Sequence, residues 1–252
     1  MQLPPDEATE KFFERLRASR PGRLKTVLHR ELCRWMSDFD ADGVLGMYAM
    51  HLASTDQWAG LLGSGLGGRL LDVGAGSGEV TATLAPLFTE VVTTELSKGM
   101  ARRLRSRGFR VEELDVADRG APDPFYDVVS CLNVIDRCPL PLSLLRRCRD
   151  ALRQDGRLVV SVPLPYRPHV YVGPRALKPL EDLDITAPDW ESSAVLLYRH
   201  VLAPLGLRVE RFTRLPYLSG GDAQRVVYEL DASVWICRRA RYSLRDARGS
   251  VL

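Results

Sequence analysis

The sequence predicts an α/β fold built on a mostly parallel, doubly wound sheet, and three observations predict it. From Arg69 onward, short apolar runs such as "RLLDVG", "EVVTTEL", "YDVVSCLNV" and "RLVVSVPL" alternate with amphipathic segments such as "KGMARRLRSRG" and "LSLLRRCRDALRQ", which is the rhythm of βαβ units. A turn carrying Gly74, Gly76 and Gly78 falls where the first of these runs ends and a helix begins. Near the C-terminus, "LRVERFTRLPYL" and "VVYELDASVWICRR" follow one another with no helix between them, as expected of an antiparallel hairpin closing one edge.

In chain order, "DEATEKFFERLRAS" has an acidic start and apolar Phe12, Phe13 and Leu16, which suits a short helix. "RLKTVLHRELCRWMSDF" spaces Leu24, Val27, Leu28, Leu32, Trp35 and Met36 as one helix face, and a third helix is expected from about Ser54 to Leu62. Residues 1–67 therefore read as a helical N-terminal extension, 68–238 as the α/β domain and 239–252 as a charged tail without periodicity. One more helix is expected at about 190–203.

With 252 residues, 45% of them hydrophobic and 27% charged, the chain can bury a core without metals or disulfides. Its net charge is only +3, although 31 of its 35 basic residues are Arg. These are scattered among acids rather than gathered in a stripe, so nucleic acid is not an expected partner. Cys33, Cys131, Cys138, Cys148 and Cys237, with His29, His51, His169 and His200, show no zinc-type spacing, and no metal is expected. No run is long enough to span a bilayer. The stretch "MQLPPDEATEKFFERL" lacks an apolar leader core, so no secretory signal is expected, the cytoplasm is the default compartment and a monomer the default state.

The loop "LLDVGAGSGEV" lies at a strand end, where ligands bind in such sheets. Its spacing is G-x-G-x-G rather than the dinucleotide G-x-G-x-x-G, and Asp72 just before it would repel a pyrophosphate. A cofactor with an ammonium and a sulfonium nearby fits better, which favours S-adenosylmethionine over NAD. Glu95, ending the next strand, is placed to accept from both ribose hydroxyls. Asp115 in "EELDVAD" is placed to accept from an adenine amino group, with Val116 against the ring. The plainer alternative makes Glu95 and Asp115 solvated strand-end acids.

In "SCLNVIDRC", Asn133 and Asp136 interrupt an apolar strand end, where both are costly to bury unpaired. "LLDVGAGSGEVT", "TELS", "YDVVSCLNVIDRC" and "RFTRLPYLSGGD", in this order, resemble the protein-histidine N-methyltransferases of the DREV, or methyltransferase-like nine, family. That resemblance implies a Rossmann-like class I S-adenosylmethionine-dependent methyltransferase domain. It implies methyl transfer to the pros ring nitrogen of histidine in His-x-His segments of proteins, and it allows the endoplasmic reticulum or mitochondrion as compartments. It further implies cofactor contacts at Glu95, Asn133 and Tyr217, supported by the Asp72–Gly74–Gly76 loop. Asp136 would hold the substrate imidazole, with Arg137, Tyr166 and Tyr217 around it.

Imidazole chemistry agrees: a carboxylate accepting the tele N–H leaves the lone pair on the pros nitrogen. As alternatives, Asp136 pairs with Arg137 or caps the helix starting near Leu140, and Tyr217 is an ordinary strand aromatic. A small-molecule methyltransferase and an inactive cofactor-binding scaffold are the competing functions.

Overall fold

The computed structural model describes residues 3–240 except 19–21, 48, 64–65, 173–174, 222–224 and 226; most of the C-terminal tail lies outside the described residues. Helices α1 (Glu7–Ala18), α2 (Arg23–Leu32) and α3 (Asp38–Leu45) come first, followed by the short strand β1 (Met50–His51) and α4 (Thr55–Leu62). Ser54 caps α4 in a full capping box with Gln57, so that helix starts where its sequence signals it.

Helix and strand then alternate: β2 (Arg69–Val73), α5 (Glu79–Leu84), β3 (Glu90–Thr94), α6 (Lys98–Ser106), β4 (Arg110–Glu112), α7 (Val116–Arg119), β5 (Tyr126–Leu132), α8 (Pro141–Asp150) and β6 (Leu152–Pro163). A two-stranded ribbon, β7 (Val170–Val172) with β8 (Arg175–Leu177), precedes α9 (Trp190–Leu196), which runs into a π-helical turn over Leu197–Leu202. The chain closes with β9 (Leu207–Gly220) and β10 (Val227–Arg239).

The large sheet has the order β1-β9-β10-β6-β5-β2-β3-β4. β2 through β6 are parallel, and β10 runs antiparallel to both β6 and β9. The closing pair is therefore the expected hairpin with one difference: β10 is inserted beside β6, and β1 covers the outer flank of β9. Successive residues feed opposite faces of the sheet. Leu71, Val129 and Val160 join a core with α8 and α9, while Leu70, Val128 and Val159 join one with Trp58 of α4 and Leu84 of α5. Both faces are covered, as parallel strands require.

The N-terminal region corrects the sequence reading. The expected helix through Trp35 and Met36 stops at Leu32, because Ser37 starts a new one by accepting from the Asp40 amide. Its apolar residues are not core: Leu24 and Trp35 are 83% and 84% exposed. α3, not α2, makes the close contact with the domain. A Cβ on Gly43 would lie 2.6 Å from the Met100 amide nitrogen, and one on Gly99 would lie 2.9 Å from that of Val44, so α3 and α6 touch backbone to backbone.

This contact predicts opposite effects for two glycine substitutions in helices. Gly43→Ala should cost about 1–3 kcal/mol by forcing α3 off α6. Gly60→Ala, where an added Cβ meets nothing within 4 Å, should raise stability by about 0.5–1 kcal/mol. Urea unfolding of both variants checks this, and a Gly43→Ala as stable as Gly60→Ala would refute the tight contact.

Candidate functional site

The carboxyl ends of β2, β3 and β5 and the start of α7 gather the residues singled out by sequence. In the parallel register Asp72 stands beside Ser130 of β5, on the same face of β2 as Leu70 and toward α5. Its two oxygens accept from the Ser130 and Thr81 hydroxyls, each at 2.6 Å. Asp72 is 2% exposed, and burial pushes its carboxyl above the usual range while the two hydroxyls pull it back. With one hydroxyl on each oxygen, Asp72 braces the loop from beneath.

Gly74, Gly76 and Gly78 all take positive φ, at 67°, 58° and 86°. A Cβ on Gly74 would lie 2.7 Å from Val134 Cγ2, so only glycine lets the loop pass that close to the β5 end. The Gly76 amide donates to Glu95 Oε2 and the Ser97 amide to Glu95 Oε1, both at 2.8 Å. Glu95 thereby fixes the loop to the end of β3; burial pushes its carboxyl up, and those amides oppose the shift.

Asp115 caps α7 by accepting from the Ala117 amide at 2.9 Å. Val116, expected against a ligand ring, is instead 2% exposed and packed into the core, because it opens the buried face of α7.

Past β5 the chain turns sharply at Asn133, which is buried with φ 56°. Its amide donates to the Ser161 carbonyl at 2.9 Å, and its Oδ1 accepts from the Ser161 hydroxyl at 3.0 Å. Asn133 also interacts with Tyr217, whose hydroxyl donates to Met50 Sδ at 2.6 Å and whose acidity burial pushes to about 12. Tyr217 is 3% exposed on β9.

Asp136 is 5% exposed; its Oδ1 is buried without a hydrogen-bond partner among the described residues, and its Oδ2 stands 3.5 Å from Arg137 Nε. Burial pushes this carboxyl up, with Arg137, then its own backbone amide and then His169 pulling it back. It does not cap α8, whose N-cap is Leu140 without a side-chain bond. The Tyr166 hydroxyl donates to the Ile135 carbonyl at 3.0 Å, so Tyr166 is buried as a brace beside Asp136 and its hydroxyl is already engaged.

Sequence reasoning missed the neighbours that the N-terminal region supplies. The Arg137 guanidinium lies 5.1 Å from the Phe39 ring centroid, and Phe39 meets Tyr171 of β7 edge to face at 5.9 Å. Met50 reaches both the glycine loop and Tyr217: a Cβ on Gly76 would lie 3.1 Å from its Cε. The Ser37-x-x-Asp40 capping pattern was the available signal for α3; nothing local marks Phe39 or Met50 as part of the site.

The brace role of Asp72 is testable by stability alone. Asp72→Ala leaves two buried hydroxyls without an acceptor and should cost about 2–4 kcal/mol. Asp72→Asn keeps the shape and sheds the buried charge, so its cost should stay within about 1 kcal/mol. Thermal and denaturant unfolding compare the two; equal losses would mean that the carboxylate does not organise the loop through these hydroxyls.

Ubiquinone biosynthesis O-methyltransferase of Xanthomonas campestris pv. campestris (strain B100) is 29% identical over 104 residues, 38% of this chain and 43% of that protein. The enzyme of the same name from Xanthomonas oryzae pv. oryzae (strain PXO99A) is 27% identical over 140 residues, 51% of this chain and 55% of that protein. The chain spans about half the length of the curated relatives it matches. Among solved structures, a putative RNA methyltransferase from Pyrococcus horikoshii superposes with a TM-score of 0.53 at 12% identity, covering 88% of this chain and all of that one, which shows the Rossmann-like fold of class I methyltransferases. The family model for DREV methyltransferases matches residues 1–239, and the chain belongs to that family.

Proposed function

We propose that this chain is an S-adenosylmethionine-dependent protein-histidine N-methyltransferase acting on the pros nitrogen of histidine in His-x-His segments. The observation that carries the reading is the Asp136 carboxylate, 5% exposed, with Oδ1 lacking a partner among the described residues. A buried unpaired acceptor costs about 1–3 kcal/mol, and a donor brought by the substrate relieves that cost. A ring N–H of histidine is such a donor.

The site fits the cofactor. Positive-φ glycines at 74 and 76 carry the loop across the strand ends, and Glu95 follows the neighbouring strand with its carboxylate fixed by two amides. Gly74, Gly76 and Glu95 would hold its methionyl and ribose parts, Asp115 its adenine amino group, and Asn133 and Tyr217 the side nearest the substrate. When bound, S-adenosylmethionine supplies an electrophilic methyl group on a sulfonium.

The chain's own residues then have three tasks. Asp136 accepts the tele N–H, which leaves the lone pair on the pros nitrogen. As that nitrogen is alkylated the ring becomes cationic, and the same carboxylate stabilises the charge and takes the tele proton. This resembles the way an orienting aspartate fixes a catalytic histidine. Tyr217 and Asn133 keep the floor of the site rigid through Ser161 and Met50, so that alignment does not depend on covalent help from the enzyme. A small-molecule methyltransferase is the second reading, favoured only by the similarity to ubiquinone biosynthesis O-methyltransferases.

Mass spectrometry of a His-Ala-His peptide incubated with enzyme and cofactor tests the proposal. Pros-methylhistidine is expected, formed much faster than from free imidazole dipeptides; methylation of the dipeptide or a phenol alone would select the second reading. Asp136→Ala should keep S-adenosylhomocysteine affinity within a few-fold yet reduce turnover by about 10²–10⁴. Its residual product should be richer in the tele isomer; normal turnover with unchanged regiochemistry would make Asp136 structural.

A further prediction concerns pH. Only neutral imidazole attacks, and histidine ordinarily titrates near 6.5. With saturating cofactor the rate should therefore climb between about pH 5.5 and 7.5 and then level off. A rate still rising tenfold per unit at pH 9 would indicate a lysine or thiol substrate.

A further inference from the structure

The hinge between α2 and α3 brings together donors that sequence spacing leaves apart. His29 and Cys33 are four residues apart at the end of α2, and Asp38 and Asp42 are four apart on α3, so each pair shares one face of its own helix. The turn started by Ser37 sets the two faces against each other. His29 Nε2 lies 3.5 Å from Asp38 Oδ1 and 2.7 Å from Asp42 Oδ1; Cys33 Sγ lies 3.9 Å from His29 Nε2 and 3.5 Å from Asp38 Oδ1.

These separations can be compared with a coordination sphere. In a tetrahedral site with zinc–sulfur bonds of about 2.3 Å and zinc–nitrogen or zinc–oxygen bonds of about 2.1 Å, neighbouring ligands stand about 3.4 Å apart for nitrogen to oxygen. The corresponding spacing for sulfur to either is about 3.6 Å. The three edges joining His29, Cys33 and Asp38 already lie close to those values. Asp42 stands outside that trio, hydrogen-bonded to the ring, and its side chain would have to turn in to supply the fourth donor.

The electrostatics point the same way. The His29 and Asp42 side chains are 12% and 9% exposed, whereas Asp38 is 45% exposed, so two carboxylates and a thiol crowd one imidazole at a site open to solvent on the Asp38 side. A divalent ion reverses that crowding. A thiolate and an imidazole select zinc-class metals over magnesium or calcium.

We infer that His29, Cys33, Asp38 and Asp42 form a binding site for a thiophilic divalent cation of the zinc class, clasping α2 to α3 beside Arg137. On binding, Cys33 releases its thiol proton to solvent as the metal–sulfur bond forms. His29 binds through the Nε2 lone pair with its ring hydrogen on Nδ1, and Asp42 exchanges its hydrogen bond for a metal–oxygen bond. The inference is independent of the methyl-transfer reading.

The test uses the untagged full-length chain with Co(II) as spectroscopic probe and Zn(II) as competitor. One cobalt per chain is expected, with a thiolate-to-cobalt charge-transfer band and the intense visible bands of tetrahedral geometry, all displaced by one equivalent of Zn(II). Cys33→Ser should abolish the charge-transfer band, and Asp42→Asn should weaken Zn(II) binding at least about tenfold. A wild-type spectrum that is octahedral and lacks the thiolate band, or a thiolate band that persists in Cys33→Ser, would overturn the site. The wild-type spectrum decides the matter even if a variant fails to fold.

Discussion

The candidate site depends on one buried carboxylate. Asp72 accepts from Ser130 on one side and Thr81 on the other, so a single side chain joins the end of β2, the first helix after it and the neighbouring strand β5. The loop between β2 and α5 crosses the point where the sheet order turns from β3 on one side to β5 on the other, which is where ligands bind in such sheets. Without a fixed loop, the amide of Gly76 would not meet Glu95, and the passage of Gly74 over Val134 would not be defined. The acid in the glycine motif therefore acts by holding backbone in place.

The second determinant is the N-terminal region, which is part of the site and not an attachment to it. Backbone contact at Gly43 and Gly99 seats α3 on α6, and Arg103 Nε reinforces it by donating to the Gly43 carbonyl at 2.5 Å. From that seat Phe39 reaches Arg137 and Tyr171. Strand β1 does the same on the other flank: pairing with the end of β9 puts Met50 between Tyr217 and the glycine loop. Two segments far from the glycine motif in sequence thus back Arg137 and Tyr217, the side chains beside Asp136.

Much of the sheet was legible because its signals are local. Alternation of apolar runs with amphipathic segments marks β2 through β6, and the Ser54 capping box marks α4. Asp136 and Asn133 were legible as polar interruptions of an apolar strand. What stayed hidden is non-local. Val116 looks like a loop residue next to a ligand-facing acid, but the α7 cap turns it into the core. The apolar spacing of Leu24, Val27 and Leu28 indicated a helix; the helix forms, yet its apolar face is exposed, since periodicity reports amphipathicity and not what lies opposite. The association of His29 and Cys33 with Asp38 and Asp42 depends on the angle of a turn, which spacing alone does not encode.

The state of Asp136 follows from competition for Arg137. Left to itself, an arginine beside a buried carboxylate makes a two-pronged pair that satisfies both oxygens, and Asp136 would then be a structural acid. Here the nearest approach is Nε to Oδ2, at 3.5 Å, and Oδ1 has no hydrogen-bond partner among the described residues. The guanidinium also lies against the Phe39 ring and feels the charges of Asp42 and Asp38 from α3. Those groups draw on the same cation, so Asp136 keeps one oxygen unpaired at the cost of burying it. Arg137 is thereby the one side chain that touches both α3, at Phe39, and Asp136, within the described contacts.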